Sequence, residues 1–249
     1  MTIHRIAADA PLQKGATITL SEAQAHYVTS VLRQKEGAVL RLFHAESGEY
    51  EAVIHAVYKR GCDLRVGEQT RAAKRSPDLW LCFAPVKGGR TETIIEKATE
   101  LGARVIQPVL TKRCVVDKVN VERMFMIARE AAEQCERLDI PEIRPLLPFE
   151  QFLANWPKER PLFYGDESGN SESITSMLKI KTPQFATLTG PEGGFTDEEF
   201  AQLKHVGFAK GVGLGPRILR SDTANITLCA LVMQHFGDWD ERPRYRHED

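Results

Sequence analysis

Strand-like and helix-like segments alternate through residues 77–249, and this alternation constrains the fold more than any other feature of the sequence. Short apolar runs such as VIQPVL at 105–110 are followed by longer helical segments such as VERMFMIAREAAEQCERL at 121–138. Parallel strands need a crossover between them, and a helix is the usual crossover. The pattern therefore predicts an α/β domain with a mostly parallel sheet that helices cover on both faces.

The segments of this domain can be assigned individually from their apolar periodicity and their turn residues. The expected strands are residues 79–85, 105–110, 161–165, 185–189 and 209–215. The expected helices are residues 91–101, 121–138, about 173–178, 197–207 and 221–236.

Residues 1–72 follow a different pattern and are predicted to form a separate, RNA-binding domain from the domain at 73–249. Five short segments are β-branched or alternate in polarity, which is typical of strands: residues 3–6, 16–20, 38–43, 50–58 and 62–68. One helix is expected from Glu22 to Leu32, because Ser21 and Gln24 have the spacing of a capping box. A small β-barrel with one helix fits this pattern.

The charge of the chain is distributed unevenly, although the net charge is only −1. Residues 1–76 contain 11 Lys and Arg against 8 Asp and Glu, so this part is basic. A uniformly basic nucleic-acid binder is excluded, but a local basic surface is not. Arg71, Lys74 and Arg75, in the run RAAKRSP, are candidate phosphate contacts, or else belong to a solvated linker.

Several general features indicate a cytoplasmic protein without a metal site. The first residues, MTIHRIAADAPLQKG, lack the apolar segment of a signal peptide, and no run of 18 apolar residues occurs. The five cysteines are odd in number and form no C-x-x-C motif, which suits a reducing compartment. The seven histidines contain no H-x-x-x-H pair, so no metal ligand set is expected.

Two glycine-proline corners each follow an expected strand and precede an expected helix. They are LTGPEGGFTDEEF at 188–200 and LGPRILRSDTA at 214–224. Ligands of open α/β sheets bind at the carboxyl ends of strands, so these corners are expected to face each other across one pocket, with APVKGG at 84–89 as a third wall. The first corner lacks the G-x-G-x-x-G spacing and no G-K-[ST] follows it, which argues against a pyrophosphate ligand there.

Four motifs in a fixed order carry a resemblance to a known family: KGGRTETIIEKATELGA, EAAEQCER, TGPEGGF and LGPRILRSDTA. Together they resemble the ribosomal RNA small subunit methyltransferase E family. The resemblance implies an enzyme that uses S-adenosyl-L-methionine to methylate N3 of one uridine in 16S ribosomal RNA, within the small ribosomal subunit. It also implies a PUA-like β-barrel, a SPOUT-type domain with a C-terminal trefoil knot, and a homodimer.

By this resemblance, the two corners form the walls of the cofactor pocket. One wall would contain Thr189, Gly190, Pro191, Glu192, Gly193 and Gly194, and the other Leu214, Gly215, Ile218, Leu219, Arg220, Thr223 and Ala224. The glycines would let adenosine lie against the main chain, and Gly193 is expected to hold a conformation that valine resists. The Glu192 carboxylate would either face the sulfonium charge or cap the following helix.

The resemblance also implies roles in catalysis and in RNA binding. N3 of uracil carries a proton at neutral pH, so cations or donors near O2 or O4 would favour its anion. Arg220, Gln134 and Arg137 are assigned this role, and Glu130, Gln134 and Arg137 are expected on one face of a helix. Lys87 and Arg113 join the linker cations as RNA contacts.

The last expected helix is apolar nearly all round from Ala224 to Phe236. It is expected either in the centre of the core or at a dimer interface. Two rival functions remain: the same chemistry on another RNA such as tRNA, and a non-catalytic module of ribosome assembly.

Overall fold

The structure is a computed structural model that describes residues 3–168, 171–173 and 182–241 of the 249-residue chain. The chain divides into two compact units. The first unit extends to Arg75 and also includes Ala132–Ile140, and the second comprises Ser76–Ala131 and the chain from Pro141 onward.

The first unit is a five-stranded sheet with one helical insertion. Its elements are β1 (Arg5–Ala7), β2 (Thr17–Thr19), α1 (Glu22–His26), a π-helical turn (Tyr27–Val31), β3 (Val39–His44), β4 (Gly48–Tyr58) and β5 (Gly61–Arg71). The strand order is β1-β3-β4-β5-β2, with β1 parallel to β3 and the other pairs antiparallel. The capping box of Ser21 and Gln24 is confirmed at the start of α1.

The second unit contains the expected alternation of strands and helices. Its elements are β6 (Asp78–Phe83), α2 (Arg90–Glu100), β7 (Val105–Leu110), α3 (Val121–Gln134, whose last residues belong to the first unit), β8 (Glu142–Ile143), β9 (Leu147–Pro148), α4 (Phe149–Ala154), β10 (Leu162–Gly165), β11 (Glu172–Ser173), β12 (Gln184–Thr189), α5 (Asp197–His205), β13 (Ala209–Gly213) and α6 (Ser221–Phe236). The predicted helix near 173–178 falls almost entirely on residues outside those described.

The sheet of the second unit has the order β11-β13-β10-β12-β6-β7-β8, and β9 pairs with β7. Each of these pairs is parallel, which confirms the predicted mostly parallel sheet. Because β12 lies between β10 and β6, strands distant in sequence become neighbours.

Alternate residues of the central strands are buried against opposite faces of this sheet, as strand geometry requires. Phe163 and Phe185 pack on Phe236 of α6, with ring centroids 5.5 Å apart in both pairs. Leu162 and Leu188 belong to the other core, which includes side chains of α4 and α5. The prediction that helices cover both faces is therefore confirmed.

The helix predicted at 121–138 ends earlier than expected. Helix α3 stops at Gln134, and Glu136 adopts a left-handed backbone with φ 63°. Arg137 therefore lies beyond the helix, and the prediction that it shares a helix face with Glu130 and Gln134 is wrong. Helix α4 and strands β8 and β9 were not anticipated either.

Arg5 stabilises the end of α3 within the first unit. Its guanidinium donates to the carbonyls of Ala132, Glu133 and Arg137 at 3.1, 3.1 and 2.9 Å. The positive charge lies where the helix dipole is negative. Its Nε lies 2.7 Å from the carboxylate of Glu49, whose side chain is only 3% exposed. Burial alone would raise the pKa of Glu49, but hydrogen bonds and positive charge from Arg5, with help from Arg71 and Thr70, bring it below the usual value.

Within the described part of the chain, no helix has the length and apolar character needed to cross a membrane.

Candidate functional site

Three neighbouring parallel strands end beside one another in the second unit. Strands β13, β10 and β12 are adjacent in the sheet and terminate at Gly213, Gly165 and Thr189. The segments that follow them enclose a cavity of about 720 Å³. This size is typical of a small-molecule site, and the position is where open α/β sheets bind ligands.

Most residues of the two predicted corners line this cavity. They are Thr189, Gly190, Pro191, Glu192, Gly194, Leu214, Gly215, Ile218, Leu219, Arg220 and Ala224. The two corners therefore do face each other, as predicted. Gly193 and Thr223 are not among the lining residues, and neither is any residue of the early corner APVKGG.

A third wall was missed in the sequence. Gly165, Asp166, Glu167 and Ser171 line the cavity after β10, and Phe195, Phe200, Gly213, Pro216, Arg217 and Ser221 complete it. The segment GDES at 165–168 follows a predicted strand and combines glycine, acids and serine. Its position at a strand's carboxyl end was the signal that could have identified it.

Two hydrogen bonds join the start of α6 to the end of β12. The Ser221 hydroxyl donates to the carbonyl of Gly190 at 2.6 Å. The Asn225 amide donates to the Thr189 hydroxyl at 2.9 Å, in a buried position. These bonds fix the two glycine-proline corners relative to each other.

Two glycines of the cavity adopt left-handed backbone conformations. Gly194 has φ 68° and Gly215 has φ 98°, a region that branched residues resist. Gly193 does not have a positive φ, so the expectation that its backbone excludes valine is wrong. A side chain at Gly194 would also meet the carboxylate of Glu167.

The cavity has an acidic side and a basic side. Asp166 and Glu167 follow β10, whereas Arg217 and Arg220 come from the segment before α6. Asp166 is only 6% exposed, and its carboxylate accepts a hydrogen bond from the Ser168 amide at 2.8 Å. The buried hydroxyl of Ser171 has no partner among the described residues, so the wall retains hydrogen-bonding capacity for a ligand.

The Glu192 carboxylate interacts with Lys87 and Arg90 and not with the helix that follows it. Its carboxylate accepts from the Lys87 amide at 3.2 Å and lies 3.6 Å from the guanidinium of Arg90. The N-terminus of α5 is instead capped by Thr196 and Glu199, which form a complete capping box. The capping interpretation of Glu192 is therefore wrong.

The three predicted catalytic side chains do not share one unit. Arg220 immediately precedes α6 and lines the cavity. Gln134 and Arg137 belong to the first unit and are not among the lining residues. Gln134 is exposed, whereas the Arg137 guanidinium is 3.0 Å from Asp139 and is largely buried.

The predicted RNA contacts differ in how their side chains are used. Lys74, Arg75 and Lys87 are exposed. The Arg71 guanidinium is mostly buried and donates to the carbonyl of Glu136 at 2.7 Å. It therefore forms hydrogen bonds and ion pairs within the first unit. The Arg113 guanidinium donates to carbonyls of the glycine corner.

Within the described residues, no group of three or more His, Cys, Asp and Glu is arranged to hold a metal ion.

Family models match both parts of the chain. A model described as an RNA methyltransferase domain matches residues 74–233, and one described as an RNA methyltransferase PUA domain matches residues 20–67. Among curated proteins, the ribosomal RNA small subunit methyltransferase E of Rickettsia conorii is 34% identical over 93% of this chain and 96% of its own length. The protein of the same name from Synechocystis is 36% identical over 87% of this chain and 73% of its own length.

Solved structures resemble the whole fold. A methyltransferase from Legionella pneumophila with bound SAM superimposes with a TM-score of 0.87 and 32% identity, over 96% of this chain and 100% of that one. A ribosomal RNA small subunit methyltransferase E from Neisseria gonorrhoeae bound to S-adenosyl methionine gives a TM-score of 0.86 and 26% identity, over the same shares. These relatives and structures cover nearly all of the chain.

Proposed function

Because the chain belongs to the ribosomal RNA small subunit methyltransferase E family, we propose that it methylates N3 of one uridine in 16S ribosomal RNA. S-adenosyl-L-methionine is the proposed methyl donor. The observation that carries the proposal is the cavity between the two glycine-proline corners, at the carboxyl ends of three parallel strands. Two proteins of the same fold are described as binding this cofactor.

The cavity suits the chemical groups of the cofactor. Main chain around Gly190, Gly194 and Gly215 offers amides and carbonyls to the edges of an uncharged purine, and these three residues carry no side chains of their own. The carboxylates of Asp166 and Glu167 supply negative charge near positively charged sulfonium and amino groups. The cofactor supplies an activated methyl group on sulfur.

Arg220 is the proposed catalytic residue of this chain. It lines the cavity and stands immediately before the helix whose start is bonded to the glycine corner. From there its guanidinium would donate to O2 or O4 of the target uracil and stabilise the anion formed when N3 loses its proton. Gln134, which is exposed, and Arg137 are kept as proposed contributors, although Arg137 would have to leave Asp139.

RNA is proposed to be held by a PUA-like barrel formed by residues 1–72, with Lys74, Arg75 and Lys87 as phosphate contacts. These three side chains are exposed, and the part of the chain up to residue 76 carries an excess of basic residues. Phosphate contacts position RNA without specifying the base. The domain at 73–249, with its proposed trefoil knot, would then hold the cofactor, in a cytoplasmic enzyme that acts on the small ribosomal subunit.

A homodimer is proposed to form on the outer face of α6. Thr223, Thr227, Ala230 and Gln234 recur at helical spacing and remain partly or fully exposed. Leu231 beside them is only half-buried in the single chain. A second copy would cover this face of an otherwise apolar helix.

The function is tested by a methylation assay on three substrates: small ribosomal subunits, free 16S ribosomal RNA and tRNA. Products are identified by mass spectrometry of nucleosides, with reactions lacking the cofactor as the control. We expect N3-methyluridine in the subunits or in the free ribosomal RNA. A product in tRNA alone would favour the rival substrate, and RNA binding without any methylated nucleoside would favour the assembly module.

A further inference from the structure

The loop after β7 contacts the outer side of the first glycine-proline corner, at residues 188–200. We call this corner the glycine loop. Arg113 Nη1 donates to the carbonyl of Gly193 at 2.9 Å and to the carbonyl of Phe195 at 3.1 Å. The residue between these two carbonyls is Gly194, which lines the cavity in a left-handed conformation. One guanidinium nitrogen therefore bridges the main chain on both sides of a cavity residue.

Gly193 makes this approach possible. A Cβ atom placed on Gly193 would lie 3.3 Å from Cβ and 3.4 Å from Cδ of Arg113, which is tighter than ordinary van der Waals contact. Gly193 therefore faces the arginine stem, while Gly194 faces the cavity. This arrangement explains why Gly193 is absent from the cavity wall although it belongs to the same loop.

A second contact fixes the other end of the loop. The Glu199 carboxylate, in a residue only 2% exposed, accepts from the amides of Lys112 and Thr196, both at 2.8 Å. Only the main chain of Lys112 takes part, because its side chain is 63% exposed and its ammonium lies 3.7 Å from the Glu150 carboxylate. Residues 112 and 113 thus hold the glycine loop at two points.

We propose that Arg113 is a positioning residue that holds the glycine loop in its cofactor-binding shape. This inference rests on the proposed use of residues 189–194 as a wall of the cofactor site. A hydrogen bond from a charged guanidinium to a carbonyl is stronger than one between two neutral groups. Here these bonds order the loop before the ligand binds, so less of the binding free energy is lost in ordering it. Arg113 therefore acts through Gly193 and Phe195 and does not serve as a phosphate contact.

The first test compares Arg113→Met with Lys112→Met. Methionine keeps an apolar stem at 113 but removes every donor, whereas the change at 112 removes one positive charge from the neighbouring position. We expect the Kd for S-adenosylhomocysteine, measured by calorimetry, to rise about tenfold in Arg113→Met and to stay unchanged in Lys112→Met. Arg113→Lys, which keeps a charged donor, should recover part of the affinity.

Kinetics separate positioning from a general structural defect. In Arg113→Met the KM for the cofactor should rise about tenfold, while kcat at saturating cofactor and RNA stays near that of the wild type. The slope of RNA affinity against salt should not change. A slope lower by about 0.7–0.9, with unchanged cofactor affinity, would identify Arg113 as a phosphate contact and overturn the proposal.

Hydrogen exchange of the ligand-free protein tests the same contact without the cofactor. The Gly194 amide donates to the Pro191 carbonyl at 2.9 Å, and the Thr196 amide donates to Glu199. Both amides should exchange faster in Arg113→Met than in Lys112→Met. Equal exchange in the two variants would overturn the proposal. If the wild type binds no S-adenosylhomocysteine, the proposed function fails, and the exchange rates still decide whether Arg113 holds the loop.

Discussion

The Ser221 hydroxyl donates a 2.6 Å hydrogen bond to the carbonyl of Gly190, and this bond joins the first residue of α6 to a loop residue 31 positions earlier in the chain. It lies beside the buried bond between Asn225 and Thr189. Through these contacts the first turn of α6 and the end of β12 form one rigid wall of the cavity.

Ser221→Ala should therefore weaken cofactor binding without unfolding the protein. The loss of one hydrogen bond costs about 1 kcal/mol, which corresponds to about a fivefold higher Kd for S-adenosylhomocysteine in calorimetry. Ser30→Ala is the matched control, since Ser30 is exposed in the first unit and does not line the cavity. Equal effects of the two variants would contradict the role given to Ser221.

Glu49→Gln should make the stability of the protein less dependent on pH. The pKa of Glu49 is lowered in the folded state, so its contribution is present above the unfolded value of about 4.3 and is lost as the pH falls through the folded value. We expect a loss of about 2–4 kcal/mol in the free energy of unfolding at pH 7, because the change breaks a buried ion pair with Arg5.

The free-energy difference between wild type and Glu49→Gln should shrink below about pH 4 in urea unfolding at a series of pH values. Glu51→Gln is the control, because Glu51 is half-exposed and lies 3.8 Å from Arg41. This exposed pair should contribute less than about 1 kcal/mol. A difference for Glu49→Gln that does not vary with pH would contradict the lowered pKa.

Much of the second unit could be predicted from local patterns. The parallel sheet followed from the alternation of strands and helices, and the cavity from two glycine-proline corners at strand ends. The third wall at Asp166 and Glu167 was missed because no proline or glycine pair marks it, and only the adjacency of β10 to β12 and β13 brings it there.

Long-range contacts account for the other differences. The apolar pattern continues beyond Gln134, but α3 ends there, and the carbonyls of Ala132, Glu133 and Arg137 accept hydrogen bonds from Arg5. The sequence contains no local signal for a partner more than 120 residues away. The bridge from Arg113 to the glycine corner spans 80 residues and was not predictable for the same reason.

Arg220→Ala should separate catalysis from RNA binding. We expect a much lower single-turnover methylation rate at saturating RNA, by about 10²- to 10³-fold, because the variant loses a donor that stabilises the uracil anion. RNA affinity in filter binding should remain close to that of the wild type. Methylation at the wild-type rate would remove Arg220 from the catalytic role.

The double variant Lys74→Ala and Arg75→Ala should show the opposite behaviour. Its salt slope for RNA binding should fall by about 1.4–1.8, because each lost phosphate contact removes about 0.7–0.9. Cofactor affinity should not change. Lys158→Ala, at another exposed lysine, is the control and should leave the slope intact. An unchanged slope in the double variant would show that residues 74 and 75 belong to a linker that does not contact the RNA phosphates.

Leu231→Glu should dissociate the proposed homodimer. The substitution places a charge on the half-buried face of α6, where a second copy would leave it without water. We expect monomers in sedimentation velocity, with a folded far-UV spectrum. Gln202→Glu adds the same charge at an exposed position of α5 and should not change the oligomeric state. A stable Leu231→Glu dimer would contradict the assignment of this face.

The central claim, that the cavity between the two corners binds the cofactor, is tested most directly by calorimetric titration of S-adenosylhomocysteine into Gly194→Val. Valine resists the left-handed backbone at Gly194, and its side chain would meet Glu167 inside the cavity. Gly207→Val is the control, since nothing lies within 4 Å of a Cβ at Gly207 and its φ is not positive. We predict that wild type and Gly207→Val bind one ligand per chain with equal affinity, whereas folded Gly194→Val shows no measurable binding. Wild-type affinity in a folded Gly194→Val protein would contradict the claim.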